Sequence, residues 1–79
     1  MKQYYYAIKD AVSKEFGPMF PAKNDGVAIR HYKTLVKGVD DPENYSLWCI
    51  TSFDSESGQI DLYFELHEVK LEEKVEVIE

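Results

Sequence analysis

A chain of 79 residues, with nine Lys and Arg against fifteen Asp and Glu for a net charge of −6, makes one domain that buries only about 60% of its unfolded surface. Its stability therefore calls for a further contribution, and self-association into a homodimer or higher homo-oligomer is the expected one. The single cysteine, Cys49, excludes an intramolecular disulfide framework and a multi-cysteine zinc site, and suits a reducing compartment. No run of about 18 apolar residues and no charged-then-apolar leader is present, so neither a membrane span nor secretion is expected and the cytoplasm is the expected location.

The net charge hides a division between the halves. Residues 1–38 hold seven Lys and Arg against three acids, a balance of +4, whereas residues 39–79 hold two Lys against twelve acids, a balance of −10. Such asymmetry suits an anionic partner for the first half, a shielding acidic tail, or head-to-tail contact between copies. Plain solubility accounts for it as well.

In chain order, Met1 to Asp10 reads as a strand with Tyr4, Tyr6 and Ile8 on one face and Tyr5, Ala7 and Lys9 on the other. Ile8, Val12 and Phe16 also fit a helical stripe ending at Gly17-Pro18, so a helical turn over Ala11 to Phe16 stays open. Pro18 and Pro21 lack the amide that a ladder needs, which confines Met19 to Lys23 to an edge strand or an extended lead. The clearest helix follows. Asn24 is a good N-cap, Asp25 suits the first turn, and Gly38 supplies the stop. Ala28, Tyr32, Leu35 and Val39, widened by Ile29 and Val36, form its apolar stripe, while Arg30, Lys33, Thr34 and Lys37 line the other face.

Val39 to Asn44 is a turn-forming connector in which Pro42 biases Asp41 away from helical angles. Tyr45, Leu47, Cys49, Thr51 and Phe53 then alternate with Ser46, Trp48, Ile50 and Ser52, a strand with apolar residues on both sides. Asp54-Ser55-Glu56-Ser57-Gly58 closes a hairpin onto a half-buried strand with Ile60, Leu62, Phe64 and Leu66 facing one way. Glu68 to Glu79, with five glutamates, reads as an acidic arm appended to a single domain over residues 1–67. Its apolar residues fit either an extended pattern (Val69, Leu71) or a helix (Leu71, Val75, Ile78).

Phe16-Gly17-Pro18, Asn24-Asp25-Gly26-Val27-Ala28-Ile29-Arg30, Tyr45-x-Leu47-x-x-Ile50-x-x-Phe53-Asp54 and Gly58-x-Ile60 together resemble the small nonstructural protein of the gokushovirus branch of the single-stranded DNA microviruses. The likeness spans residues 1–66. It implies a short protein of the host cytoplasm made during infection, described as DNA-binding and acting in single-stranded genome synthesis or packaging. It carries no residue assignments, so the candidate site rests on local chemistry.

Single-stranded DNA requires cations that follow phosphates and aromatic faces on which bases lie. Arg30, Lys33 and Lys37 with Lys9 and Lys23 supply the first, and whichever of Tyr4, Tyr5 and Tyr6 faces solvent supplies the second, Tyr5 being the leading candidate. The plain alternative is a solvated helix face and tyrosines packed in a sheet. Arg30 stands out because its planar fork grips a phosphate in two places, although a salt bridge to the acidic half would explain it equally.

His31 and His67 lack metal-ligand spacing. Asp54, Glu56 and Asp61 make a poor calcium loop because the glycine comes one residue early and the twelfth residue, Glu65, falls within a strand. Cys49 reads as a small buried hydrophobe, so no catalytic residue, metal or cofactor is expected.

The reading is thus an α+β domain, a small antiparallel sheet of about four strands ordered β-β-α-β-β with the helix on one face, and with the sheet's other face or the terminal arm making a homodimer. It binds single-stranded DNA, or alternatively serves as an acidic protein-interaction module that binds a host or viral protein through Glu68 to Glu79 as a docking or DNA-mimicking segment.

Overall fold

The alternation of the first ten residues and the helical spacing after Asn24 both shape the computed structural model, which describes residues 1–71. The elements are β1 (Lys2–Asp10), β2 (Glu15–Phe16), β3 (Phe20–Ala22), α1 (Asp25–Leu35), a 3-10 turn at Pro42–Asn44, β4 (Tyr45–Asp54) and β5 (His67–Glu68). Every pairing is antiparallel. β1 is central, with β4 along one edge and β2 and β3 end to end along the other, and β5 lies outside β4. The α+β class stands. The sheet has five strands rather than about four, because the stretch left open as a helical turn is a tight turn followed by the two-residue β2.

α1 covers one face of this sheet. Val27 N donates to Asn24 Oδ1 at 3.0 Å, so the N-cap acts as its residue type dictates. The buried line of the helix runs through Ala28 and Tyr32, with Ile29 and Val36 against the core, while Leu35 sits on its shoulder, 52% exposed. Beneath it lie Tyr6, Ala22, Leu47, Cys49 and Val69. Two tyrosine hydroxyls pin the helix at its ends: Tyr6 Oη donates to Asp25 Oδ1 at 2.8 Å, and Tyr32 Oη to the Tyr45 carbonyl at 2.9 Å. Bonds of this kind contribute about 1 kcal/mol each, more where the acceptor is charged.

The register between β1 and β4 corrects one expectation. Tyr6 faces Cys49 but Tyr5 faces Thr51, so Ile50 is an extra residue, a β-bulge. The bulge reverses the alternation of β4: Leu47 and Cys49 share the helix-covered face with Ser52, whereas Thr51 and Phe53 turn to the opposite face beside Trp48. Ser52 is consequently buried, and its hydroxyl has no hydrogen-bond partner among the described residues.

The two hairpin turns repeat one design. Val12 N and Lys14 N donate to Asp10 Oδ1 and the Asp10 carbonyl (2.9 and 2.7 Å), just as Glu56 N and Gly58 N donate to Asp54 Oδ1 and the Asp54 carbonyl (3.0 and 2.8 Å). The fifth position is left-handed in both, at φ 78° for Gly58 and 64° for Lys14. Glycine adopts that conformation freely and lysine does not. Lys14→Gly is therefore expected to stabilise the protein by up to about 1 kcal/mol, read as a higher urea midpoint with unchanged slope; a lower midpoint contradicts this.

Asp54 carries a pH dependence. The Glu56 amide and the Met1 ammonium, 3.0 and 3.2 Å away, hold its carboxyl below the usual carboxylate range. A depressed folded-state pKa stabilises above the ordinary value and is lost as pH falls through the lowered one. Asp54→Asn keeps the turn acceptor but not the charge. Its melting temperature is expected below the parent's at neutral pH, with the gap closing as pH falls below the ordinary carboxylate range; a gap independent of pH contradicts it.

The expected strand over Ile60, Leu62, Phe64 and Leu66 does not form. Ile60 makes one bridge to Phe53, and the chain then leaves the sheet: Tyr63 N donates to Asp61 Oδ1 at 3.0 Å and Phe64 N to the Asp61 carbonyl at 3.3 Å, a turn set by the Asp61 side chain. Phe64 alone of the four packs against the core, beside Tyr4 at 6.4 Å, and Leu62 and Tyr63 are 86% and 92% exposed. The sheet resumes at β5, where His67 and Glu68 pair with Cys49 and Trp48 and Val69 is buried. Sheet and core thus run past residue 67, where the arm was expected to begin. The expectations for Val75 and Ile78 lie outside the described residues.

Candidate nucleic-acid interface

The solvent face of α1 is where the first half of the chain gathers its charge. Arg30, Lys33 and Lys37 are all exposed; Arg30 and Lys33 lie on α1, which ends at Leu35 with Val36 as its C-cap rather than running to the expected stop at Gly38, and Lys37 lies in the turn just beyond. Lys23, also exposed, lies just before the N-cap. Among the described residues the side chains of Arg30 and Lys37 form no ion pair; the salt bridges seen join the Met1 ammonium to Asp54 and Glu56. The one acid of the helix, Asp25, accepts from the Tyr6 hydroxyl at the far end of the element. The ridge is cationic and open to solvent, the geometry a polyanion requires.

The other two candidates are elsewhere. Lys9 and Tyr5 alternate with Tyr4, Tyr6 and Ile8, so they occupy the sheet face turned away from α1. There Lys9 Nζ stands 5.4 Å from the ring centre of Phe16 and 5.7 Å from that of Trp48, and Tyr5 meets Phe53 edge-on at 6.0 Å. The structure therefore brings Arg30, Lys33, Lys37 and Lys23 to one side and sets Lys9 and Tyr5 on the other. Phe16, Trp48 and Phe53 were not singled out from the sequence. Their common face depends on the β2 register and on the bulge at Ile50, and neither leaves a local signal.

A hollow of about 460 Å³ opens beside the N-terminal end of α1, lined by Tyr4, Tyr6, Asp25, Cys49, Phe64 and His67. Burial pushes the Tyr6 hydroxyl and the Cys49 thiol above their ordinary pKa ranges, and Asp25 adds to both shifts. A thiol so placed stays protonated and packs as an apolar group. His31 lies 4.4 Å from Phe20, centre to centre, and His67 5.7 Å from Phe64. Among the described residues no three His, Cys, Asp or Glu side chains are grouped to hold a metal ion, and no helix is long and apolar enough to cross a membrane.

Comparison with protein families adds the lineage. The model of the family described as phage ORF5 protein matches residues 3–70, which take in the helix and all five strands but for Lys2 at the start of β1. The chain belongs to the phage ORF5 family. Comparison with curated proteins and with solved structures found no match. The family makes this a phage protein and places the cationic ridge, the bulged β4 and the loop at Asp61 within the matched region.

Proposed function

We propose that this phage ORF5 protein binds single-stranded DNA in the host cytoplasm, in the replication or packaging of a microvirus genome of the gokushovirus kind. The observation that carries the reading is the ridge of Arg30 and Lys33, exposed on the side of α1 opposite Ala28 and Tyr32, continued by the exposed Lys37 in the turn after it. Phosphates lie along it, with Lys23 extending the track and Arg30 gripping in two places. Such contacts release counterions and do not read bases, so binding is salt-sensitive and nearly independent of sequence. The net charge of −6 restricts contact with DNA to locally cationic surfaces such as this ridge. A filter-binding titration with a dT oligonucleotide at low and moderate salt tests it. The expected result is retention at low salt that weakens as salt rises; no retention at low salt contradicts it.

One observation favours a second reading, an acidic protein-interaction module. Leu62 and Tyr63 project from the loop between Asp61 and Glu65, and apolar side chains so exposed between acids suit a protein contact. A neighbouring copy on the same strand is one such partner and makes DNA binding cooperative. Leu62→Ser with Tyr63→Ser separates the two readings. Lost self-association with DNA binding that persists but is no longer cooperative supports a copy as partner, and unchanged association contradicts it.

A further inference from the structure

We propose that the sheet face turned away from α1 is a second contact surface for single-stranded DNA, one that stacks bases on Phe16, Trp48, Tyr5 and Phe53 while Lys9 meets a phosphate. This rests on the reading that the protein binds single-stranded DNA, and it adds where the bases go.

Three observations carry it. First, the rings are arranged to receive further rings. Phe16 and Trp48 meet at 5.8 Å and 86°, and Tyr5 and Phe53 at 6.0 Å and 79°. Both pairs meet edge to face, so one ring takes its partner's edge on one face while the other keeps both faces clear of its partner, and faces remain for bases. The two pairs lie about 13 Å apart along β1, from Tyr5 to Lys9, and the small buried Ala7 forms the floor between them. Second, the face is accessible. Phe16 is 42% exposed, and a cavity of about 190 Å³ with mostly apolar walls opens against Tyr5 and Phe53. Third, the charge on this face is positive. In a chain with fifteen acids, the residues that β1, β2, β3 and β4 send to this side include no carboxylate, by the register of their pairings. Glu68, opposite Trp48, stands only at the β5 edge. Lys9 is the cation of this face, at its Phe16 and Trp48 end.

Lys9 also decides what covers the face. A second copy packed here buries the Lys9 ammonium against apolar rings, where charge is disfavoured and costly to desolvate. A nucleic-acid strand supplies the bases that the rings take and the phosphate that the ammonium takes, the combination by which proteins hold single strands. The sheet is one layer thick between this face and the helix ridge, the shortest dimension of the molecule being 19 Å. One strand passing around the sheet edge can therefore reach both.

Trp48 is the only tryptophan, so its fluorescence reports this face alone. Titrating the full chain with a dT oligonucleotide is expected to quench Trp48 emission and saturate at the ratio found by filter binding. Phe16→Ala is expected to weaken binding by roughly tenfold, with Phe16→Tyr near the parent. Binding that leaves Trp48 emission unchanged overturns this inference while the ridge reading stands. Absence of binding by the parent protein overturns both. A Trp48 emission that shifts with protein concentration without DNA, alongside a doubled mass in solution, shows the face covered by a second copy and overturns the inference. The parent's quenching decides the matter even if the Phe16 variants fail to fold.

Discussion

Replacing Arg30, Lys33 and Lys37 together by alanine is expected to lower affinity for single-stranded DNA by roughly a hundredfold at low salt, on the order of 1 kcal/mol for each lost phosphate contact. The same variant should show a shallower salt dependence, because each phosphate neutralised on a single strand contributes about 0.7 to the slope of log affinity against log salt, so three contacts contribute about 2. The fold is expected to survive, since all three side chains project into solvent and the helix is held from its other side. A variant that keeps the parent's affinity and slope removes the ridge from the account. Loss of affinity with an unchanged slope would point to damage elsewhere in the protein.

The largest effect on stability is expected from Tyr32→Ala. Tyr32 is buried among Tyr6, Leu47 and Val69, and its hydroxyl closes the far end of the helix on the Tyr45 carbonyl. Removing a buried aromatic ring costs about 3–5 kcal/mol, whereas a domain of this length has about 4–12 kcal/mol in total. The variant should be unfolded or nearly so at 25 °C, seen as loss of the cooperative urea transition. Tyr32→Phe keeps the ring and leaves one carbonyl unpaired, so its midpoint should fall by an amount equivalent to about 1 kcal/mol. Equal losses in the two variants would mean that the hydroxyl, and not the ring, holds the helix down.

Where the sequence is informative, the governing contacts are local. The N-cap of Asn24 and the faces of β1 follow from residues a few positions apart, and the structure has them where the pattern puts them. The exposure of Arg30 and Lys33 follows from the helix period alone. The strand expected after Ile60 fails for a reason that alternation cannot express. An apolar period of two needs a partner edge, and beyond the Phe53 bridge the Asp61 turn carries the chain off β4 until His67. The bulge at Ile50 is likewise a fact about two strands at once. It moves Thr51 and Phe53 to the face of Trp48 and so creates the aromatic side of the sheet, which no reading of β4 by itself contains. Separation of Lys9 and Tyr5 from the helix ridge has the same origin: each was legible as a cation or an aromatic, and only the layer order shows that the sheet stands between them.

The account is tested most directly by titrating a dT oligonucleotide into isotopically labelled protein and following backbone amide resonances at low salt. The amides of Arg30, Lys33 and Lys37 are expected to shift progressively and saturate together, with those around Ala28 and Tyr32 on the buried side moving least. Shifts confined to the loop around Leu62 and Tyr63, or no shifts at any ratio, would contradict it.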